Sequence, residues 1–563
     1  PVCSSAASDV YKRQNMPYDL RTEAWIPFLR RDGTVEWGAP SLLTDDLTGG
    51  NPIIDVAPPR PDFRGALLEF LIGLMTVALQ PADEEEWRQF WDDPPPPEEL
   101  AEWLTKLPEA FNLDGDGPRF FQDQGPLDAD PKPIAGIFID MPGDQTLKNN
   151  ADLFQRGIEL RLGLPMAAMA LIAKQTYSPA GGAGYRTGLR GGGPLTTLVD
   201  PQDLEGGERA PLWQKIWANV PLVPDPHAAS DIPHIFPWMA PTRQSNPKKG
   251  GAPTYPADGH ELQQFFTLPC RIRLVFEAGE GRCDLAGEVS PALVRAFETV
   301  PYGVQYMDWP HALSPHYAPK PGEPGWLPLH GRTGGIGWRD WAGLIFGQKK
   351  SVKKGKSETP LPVQQPAGAV STFLNERASF AGAKRLTLHT FGYDMDNAKA
   401  REWTEGRMPL WPVSDPAQAD ELSQLAAKLT EKASNALSAL RQAYRTALYD
   451  HVHDKPSTPP TLDASLWAET EAPFFDAVRA LAENPEAESE DAQDAFERKL
   501  RAITLTLFDG ACPFTLARRP QQQVEARTAL RWKLRTMREG EAADAAKAKS
   551  CLLYTSDAAD EHT

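Results

Sequence analysis

Cysteine is scarce in this chain. There are five in 563 residues and none forms a C-x-x-C pair, so neither a disulfide framework nor a zinc ribbon is indicated. Long apolar runs are also missing. The longest, Ala66 to Leu79, contains Glu69 and is too short to cross a bilayer. Lys12-Arg13 is not followed by an apolar stretch, so no signal peptide is read, and a reducing cytoplasm is the expected location. Positive charge is in deficit: 58 basic against 76 acidic residues leave a formal charge of −18. Sequence-independent DNA affinity comes from lysine and arginine neutralising phosphates, so such a chain grips naked DNA poorly unless its cations are clustered. They are: Lys349, Lys350, Lys353, Lys354 and Lys356 crowd one segment, and Lys248-Lys249 form a smaller pair. Taken alone, the first cluster reads equally well as a solvated, disordered lysine loop.

What is present describes a large globular protein with much irregular backbone. Hydrophobic residues make up 41% and tryptophans number 16, while 55 prolines and 44 glycines imply long loops. Residues 1–15 precede an internal Met16, and residues 551–563 break the pattern of the charged helix before them; both resemble translated sequencing-adapter read-through and are expected to be non-native flanks. Residues 16–411 read as a mixed α+β domain. Arg271–Phe276 and Leu386–Thr390 alternate as strands, and Phe63–Leu79 and Pro165–Gln175 read as buried helices. From Leu422 to Leu448 apolar residues recur every three or four positions. Further helices are expected at Leu462–Leu481, with Pro473 kinking or splitting it, at Glu488–Phe508 and at Pro520–Met537. The region 416–545 is thus expected to be a four-helix bundle.

The most informative stretch runs from Pro179 to Leu198, where seven of twenty residues are glycine. Tyr185, Leu189 and Pro194 punctuate it, so it is no flexible spacer. It matches neither a dinucleotide fingerprint nor a P-loop. Edged by Arg186 and Arg190, it suits close approach to a nucleic-acid backbone; a self-packed turn is the plainer alternative. Together with Phe391-Gly-Tyr-Asp-Met-Asp-Asn397 and the opening Leu20-Arg-Thr-Glu-Ala-Trp-Ile-Pro27, it resembles the CasA-type large subunit of the type I-E CRISPR complex Cascade, with the three islands in the family's order. The resemblance implies an α+β fold, a large mixed amino-terminal domain with long loops followed by a carboxy-terminal four-helix bundle.

It also implies a non-catalytic role in antiviral defence, without cofactor or membrane. Such a subunit recognises the protospacer-adjacent motif (PAM) in double-stranded DNA, helps open the duplex for guide-RNA pairing, and helps recruit a helicase–nuclease. Its partners are the other Cascade subunits, guide RNA and target DNA. Carried over residue by residue, the DNA-contacting glycine loop falls on Ala180, Gly181, Gly182 and Ala183, and the duplex wedge on Asp396 and Asn397. A contact near the RNA falls on Asn149 and Asn150. An asparagine–aspartate turn capping a helix near Ala398 is the alternative to the wedge. The chain departs from the family pattern at one point. The family's lysine finger, upstream of the tryptophan matching Trp309, falls on Val300; no lysine lies between Gly251 and Pro319, and Arg282 or Arg295 are the candidate substitutes.

Three other constellations invite chemistry. His451, His453 and Asp454 suggest a metal-dependent nuclease, but histidines at i and i+2 diverge on a helix, and a helix C-terminus accounts for them better. Asn112–Asp123 nearly copies a calcium loop but lacks the bidentate glutamate. His311 and His316 are read as packing residues. Arg527, Arg531, Arg535 and Arg538 have helical spacing and are expected to line one face of the last helix, docking the displaced DNA strand or the nuclease, unless that face is simply solvated. A structural scaffold that does not read DNA is the remaining rival.

Overall fold

The computed structural model describes residues 18–142, 159–179, 181–204, 209–323, 325–354, 357–396, 398–413, 415–449, 457–484 and 486–536. These fall into two compact units, one spanning residues up to 337 with 343–412, the other 338–342 with 413 onward.

The first unit is mixed. Its core is a pair of helices, α1 (Pro61–Leu79) and α2 (Leu164–Tyr177), that pack together. Both are apolar all round, the signature of a helix buried on every side. Proline in the first turn of each lacks an N–H where none is needed. α1 is buried along almost its whole length, Glu69 included. Among the described residues no single helix is long and apolar enough to cross a membrane.

The strands of this unit form several separate sheets. β1 (Ile26–Arg30), β2 (Val35–Gly38) and β3 (Ile53–Val56) form a sheet of order β2-β1-β3. A second sheet has the order β10-β9-β4, from β4 (Thr196–Leu204), β9 (Ala383–Asp396) and β10 (Lys399–Leu410), all antiparallel. The long hairpin of β5 (Arg271–Arg282) and β6 (Val289–Val300) carries the strand expected at Arg271–Phe276 well beyond its expected end. β7 (Gln348–Lys354) and β8 (Ser357–Gln365) make a further hairpin. The lysine cluster is therefore a β-ribbon and not a loop through Lys354; Lys356 lies outside the described residues. Lys349 and Lys350 on it are exposed.

The second unit is helical. α3 (Pro416–Leu448), α4 (Pro460–Ala482) and α5 (Ser489–Ala511) contact one another, and a fourth helix, α6 (520–536), buries Ala526, Leu530 and Leu534. Pro473 does not split α4. Trp338 fills the space beside it, its indole N–H donating to the Trp467 carbonyl at 2.8 Å and its ring 4.5 Å from that of Phe474. Tertiary packing here outweighs the lost i→i−4 hydrogen bond.

Candidate nucleic-acid interface

The glycine stretch runs from the end of α2 into β4. Its neck is closed by backbone hydrogen bonds from Gly188 to the Ser178 carbonyl (3.0 Å) and from Gly193 to the Tyr177 carbonyl (3.4 Å). At Gly193, with φ +65°, a Cβ would lie 2.6 Å from the Tyr393 carbonyl oxygen, so only glycine fits. The tip is different. Gly181, Gly182 and Ala183 are exposed, and at Gly182 (φ +103°) a Cβ would meet open space. Glycine there serves the backbone turn and leaves the tip bare. Ala180 lies outside the described residues.

The two arginines that edge the loop do not face outward, contrary to the sequence expectation. Arg190 is buried and ion-paired with Glu69 of α1; its guanidinium also donates to Thr196 Oγ1 and Ser314 Oγ, both at 2.9 Å. Glu69 accepts two further hydrogen bonds, from Tyr177 (2.9 Å) and Thr196 (2.7 Å). A carboxylate in an apolar core needs such partners, and they fix the loop's root to the central helix pair. Arg186 donates to Ser245 Oγ at 2.7 Å and lies over the Tyr302 ring. Tyr302 in turn donates its backbone N–H to the Gly184 carbonyl at 2.8 Å.

The sheet puts a second element at the same end. Thr196, the first residue of β4, pairs with Phe391 of β9. Beyond that point β9 and β10 stay paired with each other to the Asp396–Lys399 pair, and Gly331 also bridges Asp394. The strand residues of β9 past Phe391 thus outrun β4 by about 17 Å of hairpin, at the end where the glycine loop enters. The helix alternative near Ala398 is excluded, because Lys399–Leu410 is a strand. Asp394 accepts from Arg401 (2.8 and 2.9 Å) and Thr333 (2.9 Å), and the Arg401 hydrogen bond holds its carboxyl below the usual range. Tyr393 donates to Asp62 at 2.7 Å, tying the hairpin to α1. Asp396 closes the described part of the strand; Asn397 lies outside the described residues, as do Asn149, Asn150 and the cluster His451, His453 and Asp454.

Asp123, twelfth in the calcium-like loop, is ion-paired with Arg271 and accepts from Thr242 at 3.0 Å. Val300 ends β6, beside the Tyr302 that holds Gly184. Arg282 pairs with Val289 at the opposite end of that hairpin, about 37 Å of strand away, too far to act for Val300. In the helical unit Arg527 is held by Asp509 (2.6 and 2.8 Å), whereas Arg531 and Arg535 are exposed; Arg538 lies outside the described residues.

Two buried histidines give the first unit an acid limit. Burial, the largest cause in each case, depresses His311, 4% exposed and next to Arg190, and His389, 2% exposed and hydrogen-bonded to Glu405. The folded state then binds fewer protons than the unfolded chain. Stability is full above the unfolded value of about 6.5 and falls below it, by up to about 1.4 kcal/mol per pH unit for each histidine. Urea unfolding at pH ~5.5 is expected to show lower stability than at pH ~7.5, on either side of that unfolded value; equal values would contradict it.

An α+β unit followed by a helical unit defines a known architecture. CasA of Thermus thermophilus has it, at 18% identity and a TM-score of 0.66 over 92% of this chain and 99% of that one. So does Thermobifida fusca Cse1, at 17% identity and 0.64 over 92% and 97%. A chain of a structure described as a CRISPR RNA-guided surveillance complex matches at 17% and 0.63 over 92% and 99%. The family model for CRISPR-associated protein Cse1 matches residues 19–507, and the chain belongs to this family.

Proposed function

We propose that this chain is the large, non-catalytic subunit of a type I-E Cascade complex, and that it reads the PAM in double-stranded DNA and starts duplex opening. Membership of the Cse1 family supports the assignment to the complex, with guide RNA and other Cascade subunits as partners. The observation that carries the DNA-reading part is that the bare tip Gly181–Ala183 and the β9–β10 hairpin issue from one end of one sheet. A tip with no side chain larger than a methyl group suits a narrow minor groove, whose readout is degenerate. The exposed end of this hairpin at Asp396 suits insertion beside the first base pair, where separating a step costs a few kcal/mol that new contacts offset. In this reading Asn397, next to Asp396, is the wedge, since its amide both donates and accepts. Asn149 and Asn150 are assigned to the RNA contact. The face of α6 bearing Arg531 and Arg535 is assigned to the displaced strand or the helicase–nuclease.

The test compares duplex and pre-opened targets. In the assembled complex Asn397→Ala is expected to weaken binding of the duplex about tenfold and to leave the pre-opened target within about twofold, a difference of about 1 kcal/mol or more. Equal losses on both targets would point to a folding defect and remove the wedge role.

A further inference from the structure

Reading DNA needs cations near the reading elements, and those of the glycine loop itself are already committed. Arg190 is buried against Glu69, and Arg186 is held by Ser245 and Tyr302. The partner of Arg186 is informative. Ser245 is itself buried and receives Arg186 through both its hydroxyl (2.7 Å) and its carbonyl (3.0 Å). Its hydroxyl donates to the Gly303 carbonyl at 2.7 Å, and its N–H to the Tyr302 carbonyl at 3.3 Å. Ser245 thus fastens a following turn to the flank of the glycine loop. In that turn, Pro247–Lys249, the Asn246 side chain accepts from Lys248 N at 3.0 Å and the Asn246 carbonyl from Lys249 N at 3.0 Å. Gly250, at φ +77°, then reverses the chain.

Lys248 and Lys249 are therefore presented on a built turn three and four residues from the clamp. Both are exposed, and among the described residues neither has an ion-pair partner. The nearby Arg243 differs, being paired with Asp258 at 3.1 Å. In a chain of formal charge −18, two adjacent unpaired lysines fixed to the flank of the loop are a local reversal of sign.

We propose that Lys248 and Lys249 contact the phosphate backbone of the duplex whose groove meets the glycine tip, supplying the charge that Arg186 and Arg190 do not. The proposal rests on the DNA-reading assignment above and adds its electrostatic half: the tip discriminates, and the lysine turn holds. Contacts to phosphate position a protein without carrying sequence information. Removing both lysines should weaken all duplexes by the same factor and leave the preference between them intact.

The experiment uses the complete complex carrying this full chain, either unaltered, as Lys248→Ala/Lys249→Ala, or as Lys248→Arg/Lys249→Arg. Two duplexes share one target sequence; one carries the flank that the unaltered complex selects from a randomised pool, the other a scrambled flank. Affinities are measured across a potassium chloride series. The alanine pair is expected to flatten the slope of log affinity against log salt by about 1.8, near 0.9 for each lost phosphate contact, on both duplexes. The arginine pair should restore it. An unchanged slope, or a loss that arginine does not rescue, overturns the proposal. If the unaltered complex fails to distinguish the two flanks, the DNA-reading assignment is lost, while the slope still decides whether these lysines touch phosphate.

Discussion

Ala183→Trp in the assembled complex is expected to reduce affinity for a motif-bearing duplex about tenfold or more, with little change on a duplex lacking the motif. Ala183 is exposed at the tip, beside Gly182. An indole there would block the groove edge that the proposed reading brings to the tip. Position 183 is a cleaner probe than the glycines themselves. Gly182 sits at φ +103°, so any side chain there strains the backbone, and at Gly181 a Cβ would lie 3.0 Å from that of Tyr185. A left-handed conformation costs an L-residue roughly 1–2 kcal/mol, which would confuse lost stability with lost contact. Ala183 is not among the positive-φ residues. Its replacement should leave urea unfolding unchanged. Unaltered binding by the tryptophan variant would reduce the loop to a structural turn.

The largest effect on stability is expected at the loop's root. Arg190→Met would leave the Glu69 carboxylate, 6% exposed, without its ion pair. Breaking a buried pair from one side costs about 3–5 kcal/mol. Tyr177 and Thr196 would still donate to Glu69, but neutral donors do not cancel a buried charge. The double variant Glu69→Gln/Arg190→Met removes both charges and should recover much of the loss. The check is urea unfolding of the parent, the single variant and the double variant. A single variant as stable as the parent would mean that the pair contributes little. A double variant as unstable as the single would mean that the hydrogen-bond network, and not the charge, holds the loop.

The reversal at Arg186 and Arg190 shows why the candidate site was only half legible in the sequence. Glycine spacing announced a constrained loop, and the neighbouring arginines looked like its nucleic-acid contacts. Glu69, which claims Arg190, is 121 residues away along the chain. Ser245, which claims Arg186, is 59 residues away. Neither partner could be read from local pattern, because an ion pair is selected by distance in space. The same holds for Lys248-Lys249. Their composition was plain, but their place beside the glycine loop follows from hydrogen bonds through Ser245 and Tyr302.

By itself the sequence determined whatever depends on local periodicity and composition. All-round apolar stretches made α1 and α2 core helices, three-to-four spacing made α3, and alternation marked β5 and part of β9. Residues in island order were enough to show the family resemblance. Tertiary structure decided what depends on pairing across the chain. It turned the lysine cluster into the β7–β8 ribbon and the turn near Ala398 into a hairpin, and it kept α4 unbroken through Pro473. It also placed the glycine tip and the hairpin at one end of one sheet. Lysines and aspartates carry weak strand propensity, so for them ladder partners and neighbouring packing set the conformation.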